Sequence, residues 1–104
     1  MNRIICTGDI LAADRQHTQG IGVGSRYLRY NGGNWLPVFQ QIDKQSDIHF
    51  GNLEAPLVSY QPATMNKKAF AGNFRFSDWL SDAGFDVVSI ANNHILEHGE
   101  KAFT

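Results

Sequence analysis

A chain of 104 residues has room for one domain, and 42% hydrophobic with 12% aromatic residues marks it as globular rather than disordered. Nine basic against ten acidic residues give a formal charge of −1 with the basic residues dispersed, which excludes binding to nucleic acid through bulk charge. No apolar run has the length to cross a bilayer and no signal peptide opens the chain, so the expected location is the cytoplasm.

The first predicted element is a buried strand, "RIICT" at 3–7, rich in β-branched residues. Cys6 is the single cysteine, so it forms no internal disulfide and reads as core packing within that strand. Gly8-Asp9 follows, then a polar, Gly- and Arg-rich segment from Ala12 to Asn34, too long for a simple connection and read as a functional or partly disordered loop. "WLPVFQQIDKQ", 35–45, predicts a helix, with Pro37 in its first turn and Leu36, Phe39 and Ile42 at three-residue spacing. "DIHF", 47–50, is the second strand, and it runs into Gly51-Asn52-Leu53-Glu54. A loop with Pro56, Pro62 and Lys67-Lys68 leads on to "AFAGNFRF". Ser77 is the expected cap of a short helix, "DWLSDA", which Gly84 stops. "FDVVSIA", 85–91, is the third strand, and a last helix is expected from about Glu97.

Strands alternating with helices predict an α/β domain with a mainly parallel sheet and flanking helices. Each polar cluster follows a strand: Gly8-Asp9 the first, Asn52 and Glu54 the second, Asn92-Asn93-His94 the third. The strands of a parallel sheet end along one edge, where ligands bind, so topology alone gathers these clusters. Asp9 and Glu54 are hard oxygen donors, Asn93 has an amide oxygen and His94 an imidazole. That mixed O/N set suits Mg, Mn, Fe or Zn. Two such ions, about 3.5–4 Å apart, would orient a phosphate-like group and activate water, while His94 passes a proton to a leaving oxygen. Taken singly, each residue has a structural alternative: Asp9 as a loop cap, Glu54 as an exposed carboxylate, Asn92 and Asn93 as turn formers. His49, within a strand, and His17, in the long loop, read as structural or solvated. "GIGVGSR" is not a dinucleotide fingerprint, because Ser25 replaces its third glycine and no strand precedes it. Ile10 stands where a Gly-Asp-Ser esterase would carry its nucleophile.

"NLEAP" at 52–56 and "ANNH" at 91–94, with Gly8-Asp9 before them, resemble the bacterial capsule-synthesis proteins of the CapA, or poly-γ-glutamate synthesis, type. These lie within the calcineurin-like metallophosphoesterase superfamily. The resemblance implies the first half of a metallophosphoesterase-like α/β sandwich, with Asp9, Glu54 and Asn93 as metal ligands and His94 as proton donor or phosphate contact. Asn52 and Asn92 would support them, Asn92 standing where the superfamily has a glycine. It implies a divalent metal, two ions in the complete domain, and a phosphoester or capsule-polymer substrate. Leu11 replaces the histidine that the wider superfamily often has there, as in the capsule branch. The family's later histidine ligands would lie beyond Thr104. The expectation is therefore a partial domain over 1–104, truncated at its C-terminus, whose hydrolase chemistry needs the downstream half. Such a piece would self-associate through an exposed sheet edge. The alternative is a non-catalytic binding or assembly module on the same half-fold.

Overall fold

The computed structural model describes residues 3–29, 47–59 and 69–100. The helix expected at 35–45 and the Lys67-Lys68 pair lie outside them. Strand β1 spans Arg3–Ile10 and β3 spans Asp47–Leu53; they pair in parallel, with Ile4 opposite Ile48 and Cys6 opposite Phe50. The third member, β6 (Val87–Ser89), runs parallel to β3, and the order β1-β3-β6 follows the chain. This is the α/β arrangement with a parallel sheet that the alternation of elements predicts.

Both leading strands are longer than expected. β1 continues through Gly8-Asp9 by a register irregularity between Cys6 and Asp9, which brings Asp9 opposite Asn52. An irregularity of this kind re-aims the side chains that follow it. Asp9 and Asn52 are thus neighbours on adjacent strands rather than members of two loops.

Strand β3 alternates strictly, with Asp47, His49, Gly51 and Leu53 buried and Ile48 exposed. The buried face meets helix α2 (Phe76–Asp82), whose Phe76, Trp79 and Leu80 form the core with Ala12, Leu53 and Ala83. Helix α1 (Val23–Arg29) adds Tyr27, edge-on to Phe76 at 4.9 Å. Phe76 is 1% exposed, and truncating such a ring to alanine costs about 3–5 kcal/mol. Gly51 is required by packing: a Cβ there would lie 2.5 Å from Ile10 Cδ1 and 2.8 Å from Phe85 Cε1. At the start of the sheet, buried Asp47 accepts two hydrogen bonds from Arg3, at 2.9 and 2.7 Å.

On the opposite face of the sheet the described apolar residues are largely exposed. Ile4, Ile48 and Val87 are 69%, 46% and 50% exposed, and Cys6, expected in the core, is exposed among them. Sheet alternation sends Cys6 to the side away from Ile5 and Thr7.

A second sheet, order β2-β5-β4, was not expected. β2 (Ala13–Arg15) pairs antiparallel with β5 (Phe70–Asn73), and β4 (Leu57–Val58) lies parallel to β5 on its other side. The segment after Ala12 is therefore ordered at least to Arg29. Its organiser is the buried Asp14 carboxylate, which accepts hydrogen bonds from the Gly20 and Ser25 N–H groups, both 3.1 Å, and from the Ser25 hydroxyl. One local expectation fails. α2 starts after Arg75 without a side-chain cap, and the Ser77 hydroxyl instead donates to the Phe74 carbonyl. Its stop does hold, with Gly84 at φ 83°. After β6 the chain turns through 92–98 to Gly99 (φ 73°) and becomes helical at Glu100, the last described residue, so the expected final helix starts just after Glu97 and leaves that carboxylate free to engage elsewhere.

Candidate metal centre

The C-terminal ends of β1, β3 and β6 present the predicted residues along one edge of the parallel sheet. Asn52, next to the end of β3, stands between two carboxylates: its amide nitrogen donates to Asp9 Oδ1 at 2.8 Å and to Glu54 Oε2 at 2.6 Å. Glu54 is fixed by its backbone, whose N–H donates to the Ile10 carbonyl. Asn92 sets the direction of the Asn52 amide. The Asn92 nitrogen donates to the Leu53 carbonyl at 2.7 Å and to Asn52 Oδ1 at 3.3 Å, which leaves the Asn52 nitrogen facing the carboxylates. Asn92 Oδ1 in turn accepts the His94 backbone N–H at 3.0 Å.

His94 is largely buried and makes contacts at both ring nitrogens. Nδ1 lies 2.6 Å from Glu97 Oε1; Nε2 lies 3.1 Å from the Asn93 amide nitrogen and 3.4 Å from Glu54 Oε1. A carboxylate only accepts, so the Glu97 contact needs a proton on Nδ1, while Nε2 faces both the Asn93 amide and the Glu54 carboxylate. The second oxygen of Glu97 accepts the Phe70 backbone N–H at 2.8 Å, and His98 Nε2 lies 2.8 Å from the Phe70 carbonyl oxygen. Phe70 also meets the His94 ring edge to face at 5.1 Å. The short second sheet is thereby pinned to the histidine turn.

Asp9, Asn52, Glu54, Asn92, Asn93 and His94 therefore form one connected hydrogen-bond network. Among the described residues no three His, Cys, Asp or Glu side chains converge as a ready cation cage. The donor set nevertheless suits a hard divalent cation. Two carboxylates crowd one polarised NH₂ group, so positive charge is favoured where that amide sits. Glu97 is the member that sequence reasoning missed as a site residue. Its signal was present in the three-residue spacing from His94, but the expected helix start concealed it.

Carboxylates, amides and an imidazole are thus assembled at the strand ends of the parallel sheet, the edge at which open α/β sheets commonly bind their ligands. Residues 3–104 match the sequence profile of the bacterial capsule synthesis protein PGA_cap, and the chain belongs to that family. Searches of the curated proteins and of the solved structures found no match. No helix among the described residues is long and apolar enough to cross a membrane.

Proposed function

We propose that this edge is a divalent-metal site of a phosphoesterase-like hydrolase acting in capsule or poly-γ-glutamate synthesis. The observation that carries the reading is the Asn52 amide clasped by Asp9 and Glu54. Family members are metallophosphoesterase-like, and the donor set is of that kind. Asp9, Glu54 and Asn93 would hold Mn, Zn, Fe or Mg. When bound, the cation polarises a phosphoryl oxygen and makes water a better nucleophile. Asn92 keeps Asn52 turned toward the carboxylates. Glu97 holds the Nδ1 proton of His94, so the imidazole takes up and releases its other proton at Nε2, toward the leaving oxygen.

The test is titration of the 104-residue chain with Mn²⁺ or Zn²⁺ by calorimetry, followed by a phosphomonoester and phosphodiester turnover screen. Stoichiometric binding that disappears in Asp9→Ala and Asn93→Ala is expected. A folded chain that takes up no divalent ion would overturn the reading. The exposed apolar residues Ile4, Ile48 and Val87 favour a second reading, a non-catalytic assembly module. It predicts self-association and no turnover with any ion.

A further inference from the structure

The proposed centre is rich in negative charge, with Glu54 and Glu97 beside His94 and Asp9 on the other side of the Asn52 amide from Glu54. An anionic substrate entering it needs a cationic guide of the protein's own. Arg15 stands beside the centre. In the antiparallel pairing of β2 with β5 it lies directly opposite Phe70, and its guanidinium carbon sits 4.3 Å from the centre of the Phe70 ring. That same ring meets His94 at 5.1 Å, so a single aromatic side chain separates the guanidinium from the imidazole. Register, not the reach of a flexible chain, sets the position: paired residues on adjacent strands project to the same side. Phe70 is itself fixed, since Glu97 and His98 occupy its backbone N–H and carbonyl.

Among the described residues Arg15 has no acid of its own. Its neighbour Asp14 is committed to Gly20 and Ser25, and Arg15 forms no ion pair among the described residues. Its Nε–H is fully buried and meets no acceptor there. A buried donor on a charged group without a partner is an unfilled demand for an oxyanion, and the planar fork of arginine matches carboxylate and phosphate oxygens.

We propose that Arg15 binds the oxyanion of the substrate, a phosphoryl or carboxylate group, and directs it past Phe70 toward His94. The inference rests on the proposed hydrolase reading for the identity of the substrate, but the binding step is measured without metal. The ¹⁵N-labelled full chain is titrated separately with inorganic phosphate and with glutarate, following the arginine Nε–H signals and the Phe70 amide. A saturable shift of Arg15 and Phe70 is expected. Preference for phosphate identifies a phosphoryl group as the natural occupant, and preference for glutarate a carboxylate of the polymer. Arg15→Gln should weaken the favoured probe at least tenfold; Arg15→Lys, which keeps the charge and the stem, should lose less. Arg75→Gln, a control for general charge, should bind as the wild type does. Unshifted Arg15 signals with both probes, or equal weakening in the Arg75 control, would overturn the proposal. Metal titration of Arg15→Gln separates the two claims: normal Mn²⁺ uptake with lost anion binding is expected here. A wild type that binds phosphate but no metal would sink only the hydrolase reading.

Discussion

Replacing Glu97 by alanine removes the acceptor of two charge-assisted hydrogen bonds at once, one from His94 Nδ1 at 2.6 Å and one from the Phe70 N–H at 2.8 Å. Hydrogen bonds to charged groups are worth about 1.5–3 kcal/mol each. The side chains of His94 and Glu97 keep 17% and 20% of their exposure, so solvent screening puts the lower end of that range in force. Glu97→Ala is therefore expected to cost about 3 kcal/mol, or about 12–24 °C of melting temperature at this chain length. Glu97→Gln keeps an amide oxygen for the Phe70 N–H and should recover about half. Thermal melts by circular dichroism, paired with urea titrations, measure both variants. Two-bond ¹H–¹⁵N correlations of the imidazole supply an independent readout, with the wild-type ring carrying a proton on Nδ1 that the alanine variant no longer holds there. An alanine variant within about 0.5 kcal/mol of the wild type, or a glutamine variant as unstable as alanine, would refute the reasoning.

Three further outcomes are expected. Asp14→Ala leaves the Ser25 N–H without its acceptor, the Ser25 hydroxyl without its carboxylate and the Gly20 N–H with the Ser25 oxygen alone; a loss of about 3 kcal/mol and new proteolytic cuts between residues 18 and 25 should appear by urea titration and limited proteolysis. Gly51→Ala forces a methyl group against Ile10 and Phe85, and the urea midpoint should fall by the equivalent of about 1–3 kcal/mol. Burial lowers the pKa of His49 from its ordinary 6.5, although the Gly84 backbone and Asp86 oppose the shift. The unfolded chain therefore binds the proton first. Stability from the neutral ring is complete above pH 6.5 and declines as pH falls through and below that value. Urea titrations from pH 7.5 to 5.5 should show a shallower slope in His49→Gln than in the wild type, and equal slopes would remove His49 as the cause.

The parallel sheet was legible because β1, β3 and β6 are short apolar runs, each followed by polar residues. The second sheet was not. Its strands have two to four residues, too few for an alternation to show, and Gly72 interrupts the longest. Asp9 was read as lying just beyond a strand because Gly-Asp looks like a turn; the irregularity that keeps it within β1 depends on pairing with Asn52, which no local pattern encodes. Ser77 fits the composition of a cap, yet the helix begins one residue before it and leaves its hydroxyl to the Phe74 carbonyl. Glu97 and Arg15 were passed over for a common reason. Each owes its place to Phe70, and a contact between the histidine turn and a strand almost thirty residues earlier leaves no trace in local spacing.

The central claim is that Asp9, Glu54 and Asn93 share a divalent cation. Anomalous diffraction from Mn²⁺-soaked crystals tests it most directly. The account predicts one peak within about 2.0–2.6 Å of oxygen atoms from all three side chains, with the Asn52 amide turned aside to admit the ion. A peak elsewhere, or none at saturating Mn²⁺ with the Asn52 amide still clasped between the carboxylates, would contradict it.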